Sequence, residues 1–229
     1  MTPVPSGSPA TGNAQPVGLV VGLGNPEPRY RRTRHNAGQM VVERLAERLS
    51  LRFASKYAGR FAQGRGPGGP VSLLIPTTYM NLSGQSVSPA VGSLHLGLGQ
   101  VVVIHDELDL PFGVVRGKIG GGPGGHNGLR SIQTGLGSPD FSRIRLGIGR
   151  PPAEFRGDQA AWVLGGFGEP DDDVERMISR AVEMVECALE LGMDAAIATF
   201  HASEPGARRR ARQEGGDSDQ DSSRLDEGA

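Results

Sequence analysis

Cysteine is almost absent from this chain: Cys187 is the only one among 229 residues. A single thiol cannot form an internal disulfide, and it cannot supply the several thiolates of a structural zinc site. Cys187 falls in an apolar pattern of helical spacing, which indicates a core residue. A disulfide-stapled secreted scaffold and a cysteine-based metal centre are therefore excluded.

Long apolar runs and a leader segment are missing as well. No stretch approaches the roughly 20 apolar residues that span a bilayer. Residues 1–15 have neither the basic start nor the apolar middle of a signal peptide. We therefore expect a soluble, cytoplasmic protein that makes no contact with membranes.

An excess of positive charge is also lacking. The 24 lysine and arginine residues are balanced by 25 aspartate and glutamate residues, which gives a formal net charge of -1. This balance argues against a globally basic nucleic-acid binder, but it leaves room for a local basic face.

Both ends of the chain differ in composition from the part between them. Residues 1–15 carry no charged side chain, and residues 203–229 combine an arginine run with an acidic, serine-rich end. Neither segment can bury enough apolar surface to offset the entropy cost of ordering, about 1–2 kcal/mol per residue. We expect disordered extensions at 1–15 and 203–229 on either side of one folded domain at 16–202.

The folded part alternates between two apolar periodicities. Short apolar runs predict strands at 17–23, 59–65, 71–75, 101–105, 114–119 and 143–148. Apolar residues at helical spacing predict helices at 37–49, 83–96, 128–135 and 171–191. Three aspartates begin the last helix, where the helix dipole favours them, and Gly192 ends it. The pattern predicts an α/β fold: a single domain with a mixed, mostly parallel twisted sheet flanked by helices.

The most unusual stretch, residues 104–128, reads IHDELDLPFGVVRGKIGGGPGGHNG. Asp106 follows the apolar strand, and five of the six residues at 120–125 are glycine, ahead of His126 and Asn127. Glycine packs no side chain and costs conformational entropy on folding, so a packed core has no use for this loop. The composition indicates a polar reaction centre.

Polar side chains follow several predicted strands. Because ligands of open α/β sheets bind beyond the carboxyl ends of the strands, we expect convergence of Asn25, His35, Asn81, Asp106 and Asn127. Histidine can take a proton from water, and a neighbouring carboxylate raises its pKa and fixes its tautomer. Amides can hold a peptide or an oxyanion. Since no GxSxG elbow is present, water is the expected nucleophile of an acyl transfer.

Other interpretations start from the same residues. The glycines at 22 and 24 could open a dinucleotide fingerprint, but Glu27 replaces the third glycine. The cluster of His105, Asp106, Glu107 and Asp109 could hold a divalent cation. Strand alternation points His105 away from Asp106, however, and favours a core residue. Asn127 could cap the following helix. The glycine loop could cradle a phosphate, but it lacks the Lys-Ser/Thr ending of a P-loop.

Six short segments occur in an order that is typical of one enzyme family. They are 20–26 (VVGLGNP), 33–38 (TRHNAG), 79–84 (YMNLSG), 105–111 (HDELDLP), 124–128 (GGHNG) and 145–149 (RLGIG). Each alone is weak, but their succession over residues 17–202 closely resembles bacterial peptidyl-tRNA hydrolase. Glu27 and Pro28 depart from the pattern, because the family often has a glycine turn there.

The resemblance implies cleavage of the ester between a peptide's C-terminus and the 3′-terminal ribose of tRNA. This reaction recycles tRNA from peptidyl-tRNA released by stalled ribosomes. The resemblance further implies that His35 is the catalytic base, that Asp106 orients and activates it, and that Asn25 takes part in catalysis. The implied substrate-binding residues are Tyr30, Tyr79, Asn81, His126 and Asn127.

The resemblance also implies a tRNA-binding surface, and it bears on cofactors and on the oligomeric state. Lys118 and Arg145 match a basic clamp for the 5′-phosphate of the tRNA. The resemblance implies neither a metal nor an organic cofactor, and it implies a monomer. A non-catalytic RNA-binding protein with the same fold is the alternative. His35, Asp106 and Asn25 favour the enzyme, because a pure binder has no use for an acid–base pair.

Overall fold

The computed structural model describes residues 16–202, and seven strands form one sheet within this range. The strands are β1 (Leu19–Gly22), β2 (Ala54–Lys56), β3 (Gly59–Gly66), β4 (Gly69–Pro76), β5 (Val101–Glu107), β6 (Val115–Ile119) and β7 (Ser142–Gly147). Their order across the sheet is β2-β3-β4-β1-β5-β7-β6. The predicted extensions at 1–15 and 203–229 lie outside the described residues.

The pairing is parallel in the middle of the sheet and antiparallel at both edges. β4, β1, β5 and β7 run parallel to one another, whereas β3 and β2 on one side and β6 on the other pair antiparallel. All four residues of β1 and the first six of β5 are buried, which explains their unbroken apolar sequences. The predicted α/β fold with a mixed sheet is confirmed. Because the four central strands share one direction, their carboxyl ends meet at the same edge.

Helices cover both faces of this sheet. They are α1 (Ala37–Arg48), α2 (Gly84–Ser93), α3 (Asn127–Leu136), α4 (Gln159–Leu164), α5 (Asp171–Leu191) and α6 (Met193–Ala202). Buried side chains of α1, α5 and α6 form one core with the sheet, and those of α2 and α3 form a second core on the opposite face. Each fully buried aliphatic or aromatic side chain contributes roughly 1.5–3 kcal/mol, so the two cores fix the sheet from both sides.

The predicted and observed elements agree best where amphipathic patterns are long. Helix α5 has the predicted bounds, and Gly192 follows it with a φ of 86°, a conformation that glycine adopts without strain. The predicted helix at 83–96 is shorter, because it ends at Ser93. Strand β2 and helices α4 and α6 were not predicted. None of the helices in residues 16–202 is long and apolar enough to cross a membrane.

Candidate active site

A pocket of about 510 Å³ opens at the edge where the central strands end. The three predicted catalytic residues and the five predicted substrate-binding residues all line it. They lie on the segments that follow β1 and β4, near the carboxyl end of β5, and at the start of α3. The convergence expected from the ends of the strands is therefore present in the structure.

His35 lies against the carboxylate of Asp106. Its Nδ1 is 2.9 Å from Oδ1 and 3.1 Å from Oδ2 of Asp106. Asp106 is only 4% exposed, but the histidines that contact it hold its pKa well below its usual range, so it is ionised and accepts the Nδ1–H of the ring. This tautomer leaves Nε2 of His35 available to take a proton.

The close approach of His35 to Asp106 depends on a glycine. Helix α1 starts directly after the 3-10 turn that carries His35, and it packs against the end of β5. A Cβ at Gly38 would lie 2.1 Å from the carbonyl oxygen of Ile104. Any other residue would push α1, and with it His35, away from the strand that carries Asp106.

His126 is a second imidazole on the same carboxylate. Its Nε2 is 3.0 Å from Oδ1 of Asp106. Its Nδ1 accepts hydrogen bonds from the backbone N–H groups of Gly128 and Leu129, at 3.1 and 3.4 Å. The N-cap of α3 is therefore His126, and the alternative that Asn127 caps this helix is wrong. Because Nδ1 accepts, Nε2 must carry the proton and donate it to Asp106.

The pKa values of Asp106 and His35 are both shifted in this cluster. Burial alone would raise the pKa of Asp106, but the charges of His35 and His126 and their hydrogen bonds hold it well below its usual range. For His35, burial lowers the pKa, and the charge and hydrogen bond of Asp106 outweigh burial and raise it. The result is an ionised carboxylate that increases the basicity of one open imidazole nitrogen.

His105 lies behind this cluster. It is 2% exposed, and its Nδ1 donates to the backbone oxygen of Asp106 at 2.7 Å. Its ring meets that of His126 edge-on, with 5.0 Å between the ring centroids. Burial, followed by the charge of His126, lowers the pKa of His105 to about 3. The prediction of a buried packing residue is confirmed, and His105 stays neutral.

Asn25 is held by a pair of reciprocal hydrogen bonds. Its backbone N–H donates to Oδ1 of Asn36 and its backbone oxygen accepts from Nδ2 of Asn36, both at 2.9 Å. Its side-chain oxygen accepts from the backbone N–H of Met80 at 3.0 Å. Since the oxygen is used, the amide N–H₂ of Asn25 remains as a donor at the pocket. Asn36, fully buried, is a supporting residue that the sequence reasoning missed.

The other predicted substrate-binding residues lie at the mouth of the pocket. Tyr79 is 54% exposed, and its hydroxyl donates to Glu27 at 2.7 Å. Glu27, the departure from the family pattern, thus fixes one rim residue. Asn81 and Asn127 are both exposed, which leaves their amides accessible to a ligand.

One wall of the pocket was missed altogether. It is formed by α4, whose Gln159, Ala160, Val163 and Leu164 line the cavity. The helix has six residues and no buried side chain. Such a helix has no apolar stripe for a sequence pattern to reveal.

Lys118 and Arg145 lie outside the pocket, on the edge strand β6 and on its neighbour β7. In the strand register, Arg116 faces Arg145 and Lys118 faces Arg143. Strand alternation places these four cations on one face of the sheet. Arg143 is buried and donates to the backbone oxygens of Gly121 and Gly122 in the glycine loop, whereas Lys118 is exposed beside the same loop.

Within residues 16–202, one group of three side chains has the spacing for a metal ion: His35, Asp106 and His126. A cation there would displace the protons that both imidazoles donate to Asp106. The cation site considered around His105 and Asp109 does not form, because His105 turns to a backbone oxygen and Asp109 pairs with Arg150 at 2.5 Å.

A histidine paired with a buried carboxylate, beside open amides at the end of a parallel sheet, is an arrangement typical of a hydrolase. The family model for peptidyl-tRNA hydrolase matches residues 19–209. The peptidyl-tRNA hydrolase of Mycobacterium avium (strain 104) is 48% identical over 192 residues, which cover 82% of this chain and 99% of that protein. That of Geobacter sp. (strain M21) is 45% identical over 186 residues, or 80% and 97% of the two chains.

The solved structures agree with these relatives. The crystal structure of peptidyl-tRNA hydrolase from Acinetobacter baumannii has a TM-score of 0.74 and 39% identity, and the match covers 82% of this chain and 96% of that chain. The chain belongs to the peptidyl-tRNA hydrolase family.

Proposed function

We propose that this chain hydrolyses the ester between a peptide and the 3′-terminal ribose of tRNA, with a water molecule that His35 activates. The observation that carries the proposal is the pair of His35 and Asp106 in the pocket, whose Nδ1 and Oδ1 atoms lie 2.9 Å apart and whose side chains are only 12% and 3% exposed. Cleavage releases free tRNA and free peptide, and so recycles peptidyl-tRNA dropped by ribosomes.

The reaction follows from the tautomers of the site. Nε2 of His35 takes a proton from water as the water oxygen bonds to the ester carbonyl carbon. Asp106 stabilises the imidazolium that forms. The bond from the carbonyl carbon to the ribose oxygen then breaks, and the imidazolium returns its proton to that oxygen. A positioned base contributes roughly 10²–10⁴-fold to such a rate.

The amides of the pocket supply the remaining contacts. Asn25 offers N–H₂ donors next to the reacting centre, where the carbonyl oxygen becomes negative. The exposed amides of Asn81 and Asn127, with Tyr30 and Tyr79 at the rim, suit a peptide backbone, which needs both donors and acceptors. His126 holds Asp106 in place through a second hydrogen bond to Oδ1.

The basic face of β6 and β7 is suited to the tRNA. We assign Lys118 and Arg145 to the 5′-phosphate, because a phosphate contact requires cations near the pocket but outside it. Exposed Lys118 is a point charge on a flexible stem, and Arg145 lies 3.8 Å from Glu107 at the pocket edge. Such contacts give binding that weakens with salt.

This mechanism requires neither a metal nor an organic cofactor, and one copy of the chain carries every group that it uses. We accordingly propose a monomer that acts in the cytoplasm, where ribosomes release peptidyl-tRNA. A non-catalytic RNA-binding protein would not need a buried carboxylate shared by two imidazoles, whose desolvation is costly.

The test is hydrolysis of a peptidyl-tRNA in the presence of a metal chelator. His35→Asn should lower kcat by roughly a hundredfold or more, because a general base is lost, while circular dichroism shows an intact fold. His95→Asn is the matched control, since His95 is exposed and far from the pocket. A His35→Asn variant that keeps most of its activity would remove His35 from the mechanism. Loss of wild-type activity with the chelator would point to a metal.

A further inference from the structure

The residue before the proposed base is a buried arginine. Arg34 is 5% exposed. Its guanidinium donates to the backbone oxygen of Gly166 and, at 3.2 Å, to the carboxylate of Glu169. The same group lies over the ring of Trp162, 3.7 Å from the ring centroid. All three partners lie more than 120 residues along the chain, in the segment that contains α4.

The backbone reinforces this connection. The N–H of Arg34 donates to the oxygen of Gly165 at 3.0 Å, and Thr33 pairs with Gly166 as an isolated antiparallel bridge. The turn that carries His35 and the segment that follows α4 are therefore joined by main chain as well as by the guanidinium.

Helix α4 itself has few other attachments. It has six residues, none of them buried, and an isolated helix of this length is unstable in water. Four of its side chains face the pocket, and Trp162 points to the other side. The indole N–H of Trp162 donates to the backbone oxygen of Gly149 at 2.9 Å, and Phe155 meets its ring edge-on. Trp162 is thus the anchor of α4, and Arg34 covers its face.

We propose that Arg34 is a positioning residue that holds α4 in place as a wall of the substrate pocket. This inference rests on the proposed function, because it takes the pocket to be the site of the ester and its peptide. Arginine suits the task. Its planar fork can stack on an indole while it donates in its own plane to a carbonyl and a carboxylate. A lysine at this position could make only some of these three contacts.

The geometry separates the role of Arg34 from the chemistry of His35. The charge of Arg34 is directed at Glu169 and away from the pair of His35 and Asp106. The pKa of His35 is set by burial and by Asp106. Loss of Arg34 should therefore weaken the binding of substrate and leave proton transfer unchanged.

Trp162 provides a direct readout, because it is the only tryptophan in the chain. In Arg34→Gln, its fluorescence emission should shift to longer wavelength and acrylamide should quench it more readily. KM for a peptidyl-tRNA should rise roughly tenfold, equivalent to about 1.4 kcal/mol. In contrast, kcat and the acidic limb of its pH profile should stay at wild-type values.

Arg32→Gln is the matched control. Arg32 lies in the same loop, but its side chain is 71% exposed and pairs with Asp171 on the surface. The same substitution there should change neither the fluorescence nor KM. Arg34→Lys should fall between wild type and Arg34→Gln in both measurements.

If Arg34→Gln does not fold, Arg34→Lys and Trp162→Leu carry the test. Trp162→Leu removes the ring on which Arg34 stacks and the hydrogen bond to Gly149, and it should raise KM by a similar factor. Unchanged KM in these variants would overturn the proposal. So would a fall in kcat with a shifted acidic limb in Arg34→Lys, because Arg34 would then act through His35. Failure of the proposed function is a different result, namely full activity of His35→Asn.

Discussion

Replacement of Asp106 by asparagine tests the centre of the site most directly. In the native protein, one carboxylate accepts an N–H from each of two imidazoles, at 2.9 and 3.0 Å. An asparagine offers one oxygen and one N–H₂ group. Both rings contact Oδ1, so His126 requires the amide oxygen at that position, and the N–H₂ group then takes the place of Oδ2, 3.1 Å from Nδ1 of His35. The ring of His126 cannot adapt, because its Nδ1 already accepts from the backbone of α3.

The magnitude follows from that conflict. In Asp106→Asn, the oxygen satisfies His126 and the N–H₂ group faces Nδ1 of His35. This arrangement favours the other tautomer of His35, in which Nε2 carries the proton and can no longer act as a base. The equivalent change of tautomer in a serine protease triad lowers kcat about 10⁴-fold. We expect a loss in kcat of roughly 10²–10⁴-fold here, because a positioned general base contributes about that factor to the rate.

The pH dependence has a definite sign. Asp106 raises the pKa of His35, whereas burial lowers it. When the charge is removed, burial remains, so the pKa of His35 falls and the acidic limb of kcat/KM moves to lower pH. The residual activity of the variant should therefore persist at a pH where the wild type is already protonated and inactive.

The assay is initial-rate hydrolysis of peptidyl-tRNA between about pH 4.5 and 8, because kcat/KM reports the pKa values of the free enzyme. Asp140→Asn is the control. Asp140 is exposed, and within residues 16–202 its side chain forms a hydrogen bond only with that of Ser138. A limb that stays in place, or a rate within a few-fold of wild type, would refute the coupling of His35 to Asp106.

Two further predictions concern the neighbours of this pair. His126→Asn keeps a good N-cap for α3 but removes the second imidazole from Asp106. The carboxylate then interacts with His35 alone, so the acidic limb should move to higher pH in the same assay, and an unmoved limb would show that His126 does not share the charge. Lys118→Ala should raise KM for full tRNA substrates and reduce the slope of log affinity against log salt by about one. An ester substrate without a 5′-phosphate should be unaffected, and equal losses on both substrates would place Lys118 in the catalytic centre.

The sequence predicts those parts of the fold in which local pattern and tertiary burial coincide. Strands β1 and β5 are buried on both faces, so their apolar runs stand out. Helix α5 buries one long stripe, and its ends carry aspartates and a glycine. The polar residues that follow these strands could be placed at one edge because parallel strands end together.

What the sequence could not predict depends on contacts between distant segments. Helix α4 is short and buries nothing, so no periodicity marks it. The burial of Arg34 depends on Gly166 and Glu169, 132 and 135 residues further along the chain. The choice of His126 over Asn127 as the cap of α3 depends on backbone geometry in the glycine loop, since asparagine is the commoner cap by residue type.

The tautomers favour only one of the two imidazoles that contact the carboxylate as the proposed base. His35 and His126 lie at nearly equal distances from Asp106, and their rings are 4.9 Å apart. Yet Nδ1 of His126 accepts hydrogen bonds from the N–H groups of Gly128 and Leu129, and its Nε2 donates to Asp106. Both of its ring nitrogens are therefore occupied. In His35, only Nδ1 bonds to the carboxylate, and Nε2 remains available to take a proton. The start of α3 thus supports the proposal that His35 is the base, because it uses the lone pair that His126 would otherwise offer.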